Sequence, residues 1–165
     1  MMSSRKFKFG PQPALDKAFA NQRTCEEALR QANIALAQEK EKLRLALAEI
    51  DRAVQRVKTA HENIVSPTRK FSAPNELAQA NRHLDLLRTK ELAAREAAEK
   101  QKERVNFAAD KVELRKRELA EAMSEVQALE KLKEKRRLEH QAALLKAEES
   151  KRDDEAIQLW NNRGD

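Results

Sequence analysis

A chain of 165 residues with 38% charged residues, 4% aromatics and only two glycines cannot close the thick core of an ordinary globular domain. Its net charge of +6 is spread among interspersed residues of both signs, so it favours solubility without demanding a polyanion. A lone Cys25 excludes an internal disulfide framework and fits a reducing cytosol.

The start, MMSSRKFKFG, is basic but leads into no apolar run, and no stretch approaches the roughly 20 apolar residues that span a bilayer. The chain is therefore expected to be soluble and cytoplasmic. Pro11 and Pro13 precede the first periodic apolar residues, and proline is tolerated in the first turn of a helix, where its missing N–H would be unpaired anyway. Helix one is predicted over about 14–64. The only other prolines, Pro67 and Pro74, lie in VSPTRKFSAPNE, where each disfavours helix in the residue before it and Ser66, Ser72 and Asn75 offer capping oxygens. This is the single turn, about 65–74. No glycine or proline follows until Gly164, so helix two is predicted over about 75–160, and Ala, Leu, Glu, Lys and Arg favour helix throughout. At 1.5 Å per residue the arms are unequal, about 75 Å against about 130 Å.

Heptads show how the arms pair. In helix one Leu15, Leu29, Leu36, Leu43, Ile50, Val57 and Ile64 share one series, with Gln22 filling its gap, and Ala18, Cys25, Ala32, Glu39, Ala46, Ala53 and Ala60 form the companion series three residues on. Helix two carries Leu77, Leu84, Glu91, Ala98, Val105, Val112, Leu119 and Val126, with Ala80, Leu87, Ala94, Gln101, Ala108, Arg115, Ala122 and Leu129 beside them. An antiparallel register in which facing residue numbers add to about 144 matches large with small: Leu36 with Ala108, Ile50 with Ala94, Ala60 with Leu84 and Ala18 with Val126. Leu29 against Arg115 and Leu43 against Gln101 are its polar layers. The predicted fold is all-α, two long helices in an antiparallel coiled-coil hairpin forming one domain.

One heptad past Val126 and Leu129 both series turn basic, at Lys133 and Arg136. Helix two is thus expected to be unpaired beyond about 130, as a C-terminal overhang of about 30 residues or roughly 45 Å. Lys131, Lys133, Lys135, Arg136 and Arg137 step round the axis by 100° per residue, so they form an encircling band and not the single stripe that tracks DNA. The bland reading of that band is a solvated helix face. Beyond EESKRDDE the tip AIQLW places Ala156, Ile157, Leu159 and Trp160 on an otherwise polar end, which suggests a partner or a second copy.

The N-terminal KFKFGPQPALDKAFANQRTCEEALRQAN and the C-terminal ALEKLKEKRRLEHQAALLKAEESKRDDEAIQLW together resemble the two ends of the FliJ/YscO family, central stalk proteins of flagellar and injectisome type III export ATPases. The resemblance implies a shape like the two-helix coiled coil of the rotary-ATPase gamma subunit, with the joined ends inserted in the hole of a hexameric export ATPase. It implies promotion of that ring's assembly and activity, and contacts with the cytoplasmic domain of the export gate and with secretion chaperones. The protein would then work at the cytoplasmic face of a membrane-embedded export apparatus. Carried over by position, the ring-facing residues are Lys131, Lys133, Arg136, Arg137 and His140, with Asp154, Glu155, Ile157 and Trp160 at the tip. Near the turn Phe71, Leu84 and Leu87 are the corresponding gate-binding residues.

Catalysis finds little support. His61, His83 and His140 are scattered, which argues against a metal site, and no glycine-rich loop is present to cradle a phosphate. Cys25 reads as a small seam residue. The sequence predicts a protein that is not an enzyme, needs no cofactor and binds no nucleic acid. Other readings are a polyanion-binding coiled coil and a self-associating scaffold.

Overall fold

The structure, a computed structural model, describes residues 6–163. The basic start at 1–5 and Gly164 lie outside the described residues. The protein is all-α: α1 (Gln12–Val65, 54 residues) and α2 (Pro74–Asn161, 88 residues) pack against each other, and no strand occurs among the described residues. The chain divides into two compact units, one made of residues 1–26 with 117–165, the other of residues 27–116.

Prolines set the helix limits. At the start of α1 the Leu15 N–H donates to the Pro11 carbonyl at 3.1 Å, after a turn in which the Gln12 N–H donates to the Phe9 carbonyl at 3.0 Å. At its end Pro67 disfavours helix at Ser66, and the Arg69 N–H closes back on the Ser66 carbonyl at 3.2 Å. Pro74 opens α2, where a missing N–H leaves no intrahelical bond unmade. The acceptor that caps this start is the Glu76 carboxylate, which takes the Ser72 N–H at 2.9 Å, an acidic group placed at the positive end of the helix dipole.

In the unit of residues 27–116 the buried apolar residues are Ala32, Ala53, Leu84, Ala98, Ala108 and Val112, all on the two heptad series. Leu77, expected as the first seam residue of α2, is 39% exposed. Its partner level falls at the turn, beyond the end of α1 at Val65, so no helix stands across from it. The polar layers meet each other. Gln101, 7% exposed, donates from Nε2 to the Glu39 carbonyl at 2.9 Å and to Glu39 Oε2 at 2.6 Å, one turn along from Leu43. Glu39 also accepts from Lys42 Nζ at 2.8 Å. Replacing Gln101 with alanine removes one bond to a carboxylate and one to a backbone carbonyl, and a loss of about 1–2 kcal/mol of unfolding free energy is expected in urea titrations.

The Lys42 bond first, and then the Gln101 bond, hold the Glu39 carboxyl below its ordinary range. A carboxyl lowered in the folded state adds stability above its unfolded pKa, and that contribution disappears as pH falls through the folded one. The wild type is therefore expected to melt above a Glu39→Gln variant at neutral pH, with the gap closing on acidification. A gap that persisted in acid would mean that the carboxylate charge contributes nothing.

In the unit of residues 1–26 and 117–165, Leu15 and Ala18 on α1 and Ala122 and Val126 on α2 are buried, again on the heptad series. Phe9, ahead of the helix, is buried with them and was not anticipated. An apolar residue just before a helix and another in its first turn, here Phe9 and Leu15, commonly fix the entry of the chain, and that staple was the available signal.

Candidate functional site

The surface that differs most from a solvated coiled coil is the C-terminal part of α2, within the unit formed by residues 1–26 and 117–165. Contacts do not stop with the seam at Leu129. Lys133 Nζ donates to Gln12 Oε1 at 2.8 Å, their numbers adding to 145, and the His140 ring lies 5.6 Å from Phe7 at an interplanar angle of 42°. The stretch expected to stand unpaired from about 130 thus first meets the segment leading into α1, because Phe7 and Phe9 extend the apolar side of that arm before its helix begins. From residue 141 to 163 every residue is exposed.

The ring-facing residues named from the sequence fall into two groups. Lys133 and His140 are half-buried and turned toward the amino-terminal segment, while Lys131 and Arg136 are exposed. Arg137 is exposed and ion-paired, its Nη2 2.7 Å from Glu134 Oε1. The hydrogen bond between them raises the guanidinium pKa and lowers that of the carboxyl, so both remain charged. A partner that takes Arg137 must compete with Glu134, and exposed pairs of this kind hold weakly. Asp154, Glu155, Ile157 and Trp160 are exposed, Trp160 at 81%. The basic band and the tip are separated by the exposed Leu138, Leu144 and Leu145, which sequence reasoning passed over. The signal was the spacing of Leu138, Leu145 and Leu159 by seven and then fourteen residues, on a different face from the seam.

Near the turn, in the unit of residues 27–116, Phe71 is half-buried with the Arg69 guanidinium carbon 5.4 Å from its ring centroid. Arg69, Lys70, Phe71, Glu76, Gln79 and His83 line an open groove of about 500 Å³ there. Leu84 is 5% exposed and belongs to the seam, and Leu87 is half-buried beside Ile64 and Ala60 in a neighbouring groove. Of the three residues assigned to gate binding, only Phe71 stands outside the seam. Cys25 is half-buried, its Sγ 4.0 Å from Asn21 Oδ1. Among the described residues no His, Cys, Asp and Glu group is arranged to hold a metal ion, and no helix is long and apolar enough to cross a membrane.

The model of the YscO-like protein family matches residues 15–163, running from the first seam residue of α1 to the end of the exposed tip. The chain belongs to the YscO-like family. This YscO-like chain also shares its fold with the solved structure of a candidate YscO homologue from Chlamydia trachomatis, at a TM-score of 0.82 and 19% identity over 93% of this chain and 95% of that one. No curated protein matches it. It is thereby a helical protein associated with type III secretion, of a non-enzymatic family. The match is to the YscO-like side of the resemblance, and the flagellar FliJ side is no part of it.

Proposed function

We propose that this YscO-like protein is a non-enzymatic central stalk of a type III export machine. The end of α2 inserts into the hole of the hexameric export ATPase, promotes its assembly and activity, and the rest of the chain links it to the export gate and secretion chaperones. One observation carries this reading: past His140, α2 continues to Asn161 as an exposed helix that ends in Ile157, Leu159 and Trp160. Exposed apolar residues at the end of a polar helix offer little to water and much to an enclosing partner. Lys131, Arg136 and Arg137 below them, and Asp154 and Glu155 among them, present charge in several directions, as a helix surrounded by subunits requires.

The effect on ATP hydrolysis would be mechanical. A single helix inside a six-fold ring meets chemically equivalent subunits at unequal positions, and a subunit is driven between nucleotide states only by as much as the helix binds one state better than the other. Near the turn, Phe71 and the groove beside it are the surface left to the export gate once Leu84 is assigned to the seam. The test is ATP hydrolysis by the export ATPase of the same organism, titrated with the full chain and with a chain ending at His140. Equal stimulation by both forms would overturn the proposal.

A further inference from the structure

Beyond the hairpin contacts the apolar side of α2 changes face. Taking the direction of Leu138 as origin and 100° per residue, Ala142, Leu145, Ala156 and Leu159 all fall within about 60° of it, whereas His140 and Lys133, which face the amino-terminal segment, lie about 140° or more away. The stripe is therefore turned from the hairpin. Leu145 is 61% and Leu159 63% exposed, and no described residue of the unit of residues 1–26 and 117–165 buries them.

With Asp153 at the edge of this arc, two charged residues interrupt its middle, Glu149 and Arg152, and both are exposed. Their spacing is that of Glu27 with Arg30, Glu41 with Arg44 and Glu134 with Arg137, each of which closes an ion pair at 2.6–2.8 Å within its own helix. Glu149 and Arg152 form no such pair with each other. On an apolar stripe they are either solvated or matched by a partner carrying the opposite charges at the same levels.

The sequence of the stripe is its own complement. Laid antiparallel against itself, with facing residue numbers adding to 301, Leu145 meets Ala156 of the second copy, Ala142 meets Leu159 and Glu149 meets Arg152, and the two-fold axis repeats each layer. Large faces small in every apolar layer, and opposite charges face each other in both central ones. A parallel pairing sets Glu149 against Glu149 and Arg152 against Arg152. The flanks are nearly balanced, Lys146 beside Asp153 of the second copy attracting and Glu148 beside Glu155 repelling.

We propose that residues 142–159 form an antiparallel homodimer with the same segment of a second copy, through the face of α2 opposite the hairpin seam. The inference concerns the protein outside the ring: the pairing covers Leu159, which the stalk reading gives to the ATPase, so dimer and ring insertion exclude each other, and the test needs this protein alone. In sedimentation equilibrium the full chain is expected to rise from 18.9 kDa toward twice that mass between about 10 µM and 1 mM, the range in which so short a seam associates. Glu149→Arg alone sets Arg against Arg152, and Arg152→Glu alone sets Glu against Glu149, so each is expected to weaken association tenfold or more. The double variant E149R/R152E restores opposite charges, and an equimolar mixture of the two single variants does so between unlike chains. Both are expected to recover the dimer. Because the substituted residues are exposed, circular dichroism should report unchanged helicity throughout. A mass fixed at one chain at every concentration, single variants that associate as the wild type does, or failure of the double variant and the mixture to recover, would each overturn the proposal.

Discussion

A chain ending at His140 is expected to fold as the full protein does and to lose all stimulation of the export ATPase. The residues removed, 141–165, contribute no buried residue among those described, so the cores built on Leu15, Ala18, Ala122 and Val126 and on Ala32, Leu84, Ala98 and Val112 remain. The cut leaves His140 in place against Phe7. Helicity should fall only by the share of the excised turns, and the midpoint in urea should hold. On the stalk reading, stimulation requires a helix within reach of several subunits at once, and the shortened form keeps the basic band at 131–137 without the apolar tip. Residual stimulation would assign the activity to that band. Stimulation equal to that of the full chain would place the working surface elsewhere and end the stalk reading.

The second large effect is on stability. Leu84→Ala is expected to cost about 2–4 kcal/mol, because a leucine at 5% exposure leaves both its transfer energy and a cavity behind. Leu92→Ala, one heptad and one residue further along α2, should stay within about 0.5 kcal/mol of the wild type, since Leu92 is 63% exposed. The pair separates two roles. If Leu84→Ala also weakens binding to the export gate, the loss should scale with unfolding and be reversed by cooling or stabilising solutes. Weakening in a variant that melts like the wild type would mean that Leu84 touches the gate directly, which its burial opposes.

The hairpin was readable in the sequence because its physics is repetitive. A seven-residue series of Leu, Ile and Val opposite a series of Ala can be placed only on one side of each helix, and the buried residues of both helices fall on those series. The turn was readable because Pro67 and Pro74 act locally. What lay outside that repetition was less legible. Phe9 is buried although it precedes α1, so no heptad count reaches it. The contacts of Lys133 and His140 were hidden for the same reason, as both meet residues at or before the first turn of α1. Leu77 failed in the opposite sense, keeping its periodic place where the partner helix had already ended. For the site, charge and exposure at 131–160 were visible in the residue types, while the division of the basic band into hairpin-facing Lys133 and outward-facing Lys131 and Arg136 required the second chain segment to be in place.

The bond between Gln101 and Glu39 bears on how so repetitive a seam finds one alignment. A hairpin of heptads is almost degenerate: sliding one arm past the other by seven residues still lays apolar series on apolar series. Such slips would set Glu39 against Ala98 or Val112, and Gln101 against Leu36 or Ile50, stripping the Gln101 amide of its acceptors and leaving Glu39 with Lys42 alone. A single polar match in the middle of each arm therefore acts as a vernier mark. It disfavours shifted pairings of residues 27–116 that would otherwise persist as kinetic traps.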